Sequence, residues 1–278
     1  MAQVGHGVSA AEAAELQREH RRHAEMNQQP ADVLLIGSQV VYGSVGMSAA
    51  LPVLHGENLQ VLAIPTIVLS AMPHYANCHT APHDAQWLAD TLDDLVVLGL
   101  IDEISTIATG YFASADQVEV VAEWLRGIRE THPHLTVVVD PTIGDSDVGV
   151  YTAPGIDQAL REHLVPLATG LVPNAFEFDH LADTPGEAVD RARALLGERG
   201  EWVVVTSFIT GSDMVTDLIV TRTGVREVHH PLIDSTAKGA GDVFAAALVA
   251  ALHKQATLVD AATFAATTVR AGLTARSL

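Results

Sequence analysis

Short runs of consecutive apolar residues constrain the fold of this chain more than any other feature. They include Val33 to Ile36, Val137 to Val139 and Trp202 to Val205, and segments with helical patterns lie between them. A continuous apolar run in a strand needs cover on both faces of the sheet. Strands that alternate with helices in this way form mainly parallel sheets. We therefore predict an α/β fold with a central, mainly parallel sheet and helices on both of its faces.

Two of the helix starts carry recognisable N-terminal signals. Ser114 and Gln117 have the spacing of a capping box, in which each side chain bonds the other residue's backbone N–H. Thr184, Pro185 and Glu187 combine a cap residue, a proline at the first helical position and an acidic third position. These patterns predict helices that begin just after Ser114 and just after Thr184.

A glycine-containing loop, Lys238 to Asp242, precedes the apolar stretch from Val243 to Leu252. If that stretch is a helix, the loop forms its N-terminus, where free N–H groups and the helix dipole favour an anion such as phosphate. Asp242 then lies in the first turn, where we expect it to be ionised at neutral pH and able to accept a hydroxyl proton. Lys238 places a cation beside the phosphate. The loop thus offers two of the parts that phosphoryl transfer needs.

The loop also has a purely structural interpretation. A glycine-rich turn can simply start a buried helix, with Asp242 as an ordinary N-terminal acid, and short glycine motifs match many unrelated proteins. The loop alone does not decide between the two interpretations.

Polar residues follow most of the predicted strands. Because parallel strands end at one edge of a sheet, these residues should lie together where α/β proteins bind ligands. The set comprises Ser38, Thr66, Tyr111, Asp140, Asn174, Glu177 and Thr206. Asp140 and Glu177 could hold Mg²⁺ through waters while ATP phosphates supply the other ligands. For Asn174, capping of a nearby helix is the open alternative.

Composition excludes several classes of function. The net charge of −19 argues against a nucleic-acid or anionic-membrane surface. Cys78 is the one cysteine, which favours a reducing compartment. Residues 1–30 are polar without the apolar core of a signal peptide, and the stretch from Val243 to Leu252 is too short to span a bilayer. We expect a soluble, cytoplasmic protein with a polar extension over residues 1–30 and one domain over 31–278.

Several segments together resemble the pyridoxal kinases of the ribokinase-like superfamily. The resemblance covers about residue 31 to the end of the chain. It rests on Ser38 to Gly43, Pro73 to Tyr75, Asp140 with Pro141, Pro173 to Glu177, and Lys238 to Asp242. The glycine loop indicates only the superfamily, whereas the first two segments narrow the resemblance to the vitamin B6 branch.

The resemblance implies a role for each matching residue. Positions that hold the pyridoxal ring match Ser38, Thr66 and His74, with Tyr111 near them. Positions at ATP match Asp140, Asn174, Glu177, Thr206, Lys238 and Ala240. Asp140, Tyr151 and Glu177 match positions near the metal. The anion hole corresponds to Gly239, Ala240 and Gly241, and Asp242 matches the base that takes the proton of the 5′-hydroxymethyl group.

The expected activity is ATP-dependent phosphorylation of pyridoxal, pyridoxine or pyridoxamine, with Mg²⁺ and K⁺ as candidate cations. The resemblance also suggests a homodimer. A hydroxymethylpyrimidine kinase of the same superfamily is one alternative, and a non-catalytic B6-binding regulatory protein is another. The presence of Asp242 argues against the second alternative, because a protein that only binds the vitamer needs no base.

Overall fold

A computed structural model describes residues 12, 15–20 and 30–276, and eleven strands are found within these residues. In chain order they are β1 Val33–Tyr42, β2 Val61–Ala71, β3 Thr80–Pro82, β4 Thr106–Thr109, β5 Thr136–Val139, β6 Gly144–Asp145, β7 Gly149–Val150, β8 Gly170–Leu171, β9 Trp202–Thr210, β10 Met214–Thr221 and β11 Val225–Pro231. Nine of them form one sheet in the order β11-β10-β9-β8-β5-β4-β1-β2-β3, while β6 and β7 pair separately. The six strands from β9 to β2 in this order run parallel. At the edges, β10 is antiparallel to β9, β11 to β10, and β3 to β2.

Within residues 30–276, helices connect the parallel strands, and two more helices follow the last strand. They are α1 Met47–Gly56, α2 Ala85–Val97, α3 Ala115–Thr131, α4 Ile156–Ala159, α5 Ala175–Leu181, α6 Ala188–Ala194, α7 Ala240–His253 and α8 Leu258–Arg276. After α4 the chain continues through a π-helical turn and a 3₁₀ turn to Leu167.

The sheet separates two apolar cores, as the continuous apolar runs predict. In β1, Leu34 and Ile36 pack into one core with residues of α2, α3, α5 and α6. Val33 and Leu35 pack into the other with residues of α1, α7 and α8. Alternate residues of one strand point to opposite faces. The predicted architecture, a mainly parallel sheet covered on both faces, is therefore confirmed.

The prediction for the helix near Thr184 is wrong at its start. The helix α6 begins at Ala188, its N-cap residue is Glu187, and no side chain caps it. Gly186 lies between Thr184 and this start with a φ of 147°, which no helical residue adopts. The cap, proline and glutamate pattern is present in the sequence, but the glycine within it stops the helix from starting earlier.

Three polar residues predicted to follow strands lie inside them instead. Ser38 belongs to β1, Thr66 to β2 and Thr206 to β9, each of which continues for several residues. The neighbouring strand β4 ends at Thr109, which pairs with Ile36. Ser38 therefore still lies beyond the carboxyl end of the parallel neighbour, which explains why the predicted edge of the sheet is correct although the strand end is not.

Part of the predicted N-terminal extension is described. Residues 15–20 are helical, and Arg18 donates to a carboxylate oxygen of Asp102 over 2.9 Å. The remaining residues before position 30, except residue 12, lie outside the described part. Among residues 12, 15–20 and 30–276, no helix combines the length and apolar character that a membrane crossing requires.

Candidate active site

The loop from Lys238 to Asp242 leads directly into α7, as predicted. Gly239 is the N-cap residue with a left-handed φ of 92°, and a Cβ there would overlap the carbonyl oxygen of Ser44. Both facts require glycine at this position. Gly241 differs, because a Cβ built there meets no atom within 4 Å. The backbone at Gly241 therefore borders open space at the positive end of a 14-residue helix.

Asp242 lies in the first turn of α7, next to this open space. Burial raises the pKa of its carboxyl to about 6, and hydrogen bonds from the backbone N–H groups of Gly46 and Asp242 itself oppose the rise. Desolvation, which raises the pKa of Asp242, thus outweighs the backbone N–H groups that lower it, although the helix terminus alone predicted a low pKa. At pH 7 the ionised form still predominates by roughly ten to one. The group can therefore act as a base near neutral pH.

Two further acidic side chains contribute to the electrostatics around Asp242. Burial raises the pKa of Asp140 well above its ordinary value, and repulsion from Glu177 and Asp242 raises it further. Burial also raises the pKa of Glu177 to about 7, against backbone hydrogen bonds that lower it. For the Tyr151 hydroxyl, burial and then the charges of these carboxylates raise the pKa. A cation brought to this edge of the sheet would relieve the repulsion.

Protein ligands alone do not form a metal site here. Throughout the described ranges, no group of three or more His, Cys, Asp or Glu side chains is arranged to hold a metal ion. Glu177 accepts from the backbone N–H groups of Ile143 at 3.0 Å and Asn174 at 2.9 Å, so both of its oxygens are engaged. A metal would need waters or substrate oxygens for most of its coordination.

Asn174 forms a complete capping box with Glu177. The Asn174 side-chain oxygen accepts from the Glu177 N–H, and its amide nitrogen donates to the carbonyl oxygen of Gly144, both over 2.9 Å. The capping interpretation left open above is therefore confirmed. Asn174 nevertheless lines a cavity, so capping does not remove it from the site.

Two cavities border the first turn of α7. The first, about 40 Å³, has Ser38, Tyr111, Asp140 and Asp242 among its polar lining residues. The second, about 250 Å³, is lined by Asn174, Thr206, Ala240 and Gly241, with Asp145, Asp217 and His230. The adjacent residues Gly241 and Asp242 therefore border different cavities, which makes the first turn of α7 the point between them.

Some predicted site residues do not line either cavity. The Thr66 hydroxyl is fully buried and donates to the Tyr111 carbonyl oxygen over 2.7 Å. His74 is exposed, and its ring contacts that of Tyr75 with centroids 4.5 Å apart. Glu177, Tyr151 and Gly239 also lie outside both linings.

Lys238 is held by two carboxylates of the β6–β7 hairpin. Its ammonium group lies 2.7 Å from an oxygen of Asp147 and 3.5 Å from one of Asp145. The hydrogen bond to Asp147 raises the pKa of the lysine, which keeps it charged. Lys238 was predicted to lie beside a phosphate, and in the structure its ammonium group is paired with these two carboxylates.

The sequence alone did not point to Asp217 and His230, a hydrogen-bonded pair that lines the second cavity. Asp217 is 1% exposed and accepts from the Ser207 N–H at 2.8 Å and from the His230 ring at 3.2 Å. Ser207, directly after Thr206, has a φ of 50°. The signal was present in the sequence, because Asp217 interrupts the alternating apolar residues Val215 and Ile219 of one strand face.

The chain is similar to known kinases along most of its length. The model of the phosphomethylpyrimidine kinase family matches residues 43–277. A pyridoxine/pyridoxal/pyridoxamine kinase of Bordetella bronchiseptica is 41% identical over 244 residues, which cover 85% of this chain and 86% of that protein. A pyridoxal kinase of Rubrobacter xylanophilus is 30% identical over 250 residues, 87% of this chain and 86% of the relative.

Solved structures show the same fold. A pyridoxal kinase from Entamoeba histolytica superposes with a TM-score of 0.82 at 24% identity, covering 90% of both chains. One from Leishmania donovani, in complex with ADP and pyridoxine, gives a TM-score of 0.80 at 27% identity over 88% of this chain and 90% of the other. The chain therefore belongs to the pyridoxal kinase family, within the proteins that the phosphomethylpyrimidine kinase model describes.

Proposed function

We propose that this protein transfers the terminal phosphoryl group of ATP to the 5′-hydroxymethyl group of pyridoxal, pyridoxine or pyridoxamine. The observation that carries the proposal is the first turn of α7. There, Asp242 borders one cavity and Gly241 borders the other across a helix N-terminus that accommodates an anion. The names of the relatives support the B6 vitamers as acceptors and ATP as donor.

On the acceptor side, Asp242 takes the proton of the vitamer's hydroxymethyl group as the hydroxymethyl oxygen attacks the terminal phosphorus atom of ATP. Backbone N–H groups of Gly239, Ala240 and Gly241 hold the transferring phosphoryl group. Ser38, Thr66, His74 and Tyr111 are assigned to the ring. The cavity of about 40 Å³ holds only a water-sized group. We therefore expect the vitamer ring to bind against the segments that carry Ser38, Thr66 and Tyr111, the vitamer-binding wall, and not inside the cavity.

On the donor side, the larger cavity receives ATP. Asn174, Thr206 and Ala240 line that cavity. Asp140, which borders the first cavity, and Glu177 and Lys238, which line neither, are assigned to ATP from the family resemblance. Mg²⁺ would be held at Asp140 and Glu177, with Tyr151 close by. Burial, and then repulsion from Glu177 and Asp242, raises the pKa of Asp140, and a cation would relieve that repulsion. When bound, it would neutralise phosphate charge. Waters and phosphate oxygens would supply its remaining ligands, and K⁺ is a second candidate cation.

The remaining parts of the proposal concern organisation. Residues 31–278 form the kinase domain, in keeping with a first strand at Val33, and residues 1–30 are an extension. A homodimer is proposed from the family resemblance. The single cysteine and the use of ATP support a cytoplasmic location. The net charge of −19 supports small-molecule partners over nucleic acid or membrane.

A second candidate activity is phosphorylation of hydroxymethylpyrimidine. The matching family model carries the name of a phosphomethylpyrimidine kinase, and the same base and anion site would serve a hydroxymethyl group on either ring. A non-catalytic B6-binding role is the weaker alternative, because the buried carboxylate of Asp242 has no use in mere binding.

Measurement of ADP release discriminates these functions. Pyridoxal, pyridoxine, pyridoxamine, hydroxymethylpyrimidine and ribose are tested in parallel at fixed MgATP, each with the Asp242→Asn variant as control. We expect release that depends on the B6 vitamers and is lost in the variant. Preference for hydroxymethylpyrimidine would assign the alternative kinase, and silence with every acceptor despite tight vitamer binding would assign the binding role.

The raised pKa of Asp242 predicts a pH dependence. Only the ionised base accepts a proton, so kcat/KM should fall about tenfold per pH unit below the pKa of about 6 and level off above it. Profiles of kcat/KM from pH 5 to 8.5, measured with pyridoxal and with pyridoxine, distinguish ionisation of the enzyme from ionisation of the substrate. An enzyme group gives an inflection at the same pH with both substrates. A rate that stays constant down to pH 5, in protein that remains folded there, would contradict the assignment.

A further inference from the structure

Gln117 is a buried glutamine that the proposed chemistry does not use. It lies in the first turn of α3 and is 1% exposed. Its side-chain oxygen accepts from the Ala113 N–H over 2.8 Å. Its amide nitrogen donates to the carbonyl oxygens of Thr66 at 2.9 Å and His83 at 2.6 Å. One side chain thus joins β2, the segment after β3, and the loop between β4 and α3.

The predicted capping box at Ser114 is therefore only half formed. The Ser114 hydroxyl does accept from the Gln117 N–H over 3.3 Å. The Gln117 side chain, which would return to the Ser114 backbone in a capping box, bonds Ala113 and two carbonyl groups of other segments instead. The residue type suits this task, because a glutamine amide supplies two donors and an acceptor together.

The contact with Thr66 has a specific cause in the sheet. Between β1 and β2, Gly37 pairs with Pro65 and Ser38 pairs with Ile67, so Thr66 is the extra residue of a bulge. A bulged residue has no partner in the neighbouring strand at that position. The Thr66 carbonyl oxygen accepts from the His83 N–H at 3.0 Å, which continues the pairing of β2 with β3, and also from the Gln117 amide.

The bulge faces the acceptor side of the site. Ser38 and Tyr111 line the first cavity together with Asp242. The Thr66 hydroxyl donates to the Tyr111 carbonyl oxygen over 2.7 Å, and Gln117 bonds Ala113 two residues further along. Gln117 is therefore hydrogen-bonded both to the bulge, at Thr66, and to the loop between β4 and α3 that carries Tyr111 (the Tyr111 loop), at Ala113.

We infer that Gln117 is a positioning residue for the vitamer-binding wall, an inference that rests on the proposed function. It holds the Thr66 bulge against the Tyr111 loop and so sets the distance between the two sides of that wall. Within the described residues, its side-chain and N–H hydrogen bonds go to Ala113, Ser114, Thr66 and His83, none of which lines the second cavity. Loss of its hydrogen bonds should therefore weaken vitamer binding and leave ATP binding unchanged.

The test measures KM for pyridoxine and for MgATP in Gln117→Met, which keeps the length of the side chain and removes its hydrogen bonds. We expect KM for pyridoxine to rise about tenfold or more, the size of one or two lost hydrogen bonds. KM for MgATP should stay within about twofold. Ser114→Ala is the matched control, because it removes the cap of the same helix without touching the wall. It should lower Tm by about 2–4 °C and leave both KM values unchanged.

A second variant covers the case in which Gln117→Met does not fold. Gln117→Asn keeps an uncharged amide but shortens the side chain by one methylene, so it cannot reach the Ala113 N–H and the Thr66 and His83 carbonyl oxygens together. It should show the same selective rise in KM for pyridoxine. If the wild-type protein is active, unchanged KM values in these variants, or equal rises in KM for pyridoxine and for MgATP, would overturn the role of Gln117. A wild-type protein inactive with every B6 vitamer would overturn the proposed function, and this inference with it.

Discussion

Replacement of Asp242 by asparagine should lower turnover by about 10²-fold or more while ATP still binds. The estimate follows from the usual contribution of a positioned general base, about 10² to 10⁴. Asparagine keeps the size of the side chain and can still accept from the Gly46 N–H, but it cannot take the proton. Single-turnover phosphoryl transfer and calorimetric ATP affinity measure the two effects separately. Turnover near the wild-type rate would exclude Asp242 as the base.

The same substitution should stabilise the folded protein at alkaline pH. Because burial raises the pKa of Asp242 from 3.8 to about 6, its contribution to stability is present below pH 3.8 and is lost as the pH rises through 6. At about 1.4 kcal/mol per pKa unit, the upper limit of the cost at pH 8 is roughly 3 kcal/mol. Tm of Asp242→Asn should exceed that of the wild type at pH 8 but not at pH 4. A group that serves only to start the helix would give no such gain.

Substitution of alanine at Gly239 should abolish activity and destabilise the fold. Gly239 has a φ of 92°, and its Cβ would overlap the Ser44 carbonyl oxygen. A left-handed conformation costs a residue with a side chain about 1–3 kcal/mol, and displacement of Ser44 adds to this. We expect a large loss of both Tm and turnover, measured by calorimetry and ADP release.

Gly241→Ala is the matched control for that experiment. A Cβ at Gly241 meets no atom within 4 Å, and the residue lies in α7. Alanine is favoured over glycine in helices by about 1 kcal/mol, so Tm should be unchanged or higher. Turnover should nevertheless fall about tenfold or more, because the methyl group enters the space proposed for the phosphoryl group. Full activity in this variant would place the phosphate elsewhere.

The architecture was predictable because burial on both faces leaves a clear pattern. Runs such as Val33 to Ile36 place residues alternately in two cores, and no other common arrangement requires so many consecutive apolar residues. The loop from Lys238 to Asp242 was also predictable, since a glycine with φ of 92° and an acid in the first turn are local features. Local chemistry was therefore enough to predict the loop and the start of α7.

The rest of the site depends on pairings between distant segments. The bulge at Thr66 arises from the register between β1 and β2, and Asp147, which accepts a hydrogen bond from Lys238, lies 91 residues from it in sequence. Likewise, the tasks of Gln117 and Asp217 are set by carbonyl and N–H groups of other elements. A helical pattern fixes where Gln117 lies along α3, but not which backbone groups it meets.

Analysis of the product formed from pyridoxal and MgATP tests the central claim most directly. Mass spectrometry and phosphorus NMR of the reaction mixture identify which molecule carries the phosphoryl group and at which oxygen. We predict pyridoxal 5′-phosphate and ADP in equal amounts, with neither formed by Asp242→Asn at a comparable rate. ADP without phosphorylated vitamer, or bound vitamer without any ADP, would contradict the claim that Asp242 directs phosphoryl transfer to the 5′-hydroxymethyl group.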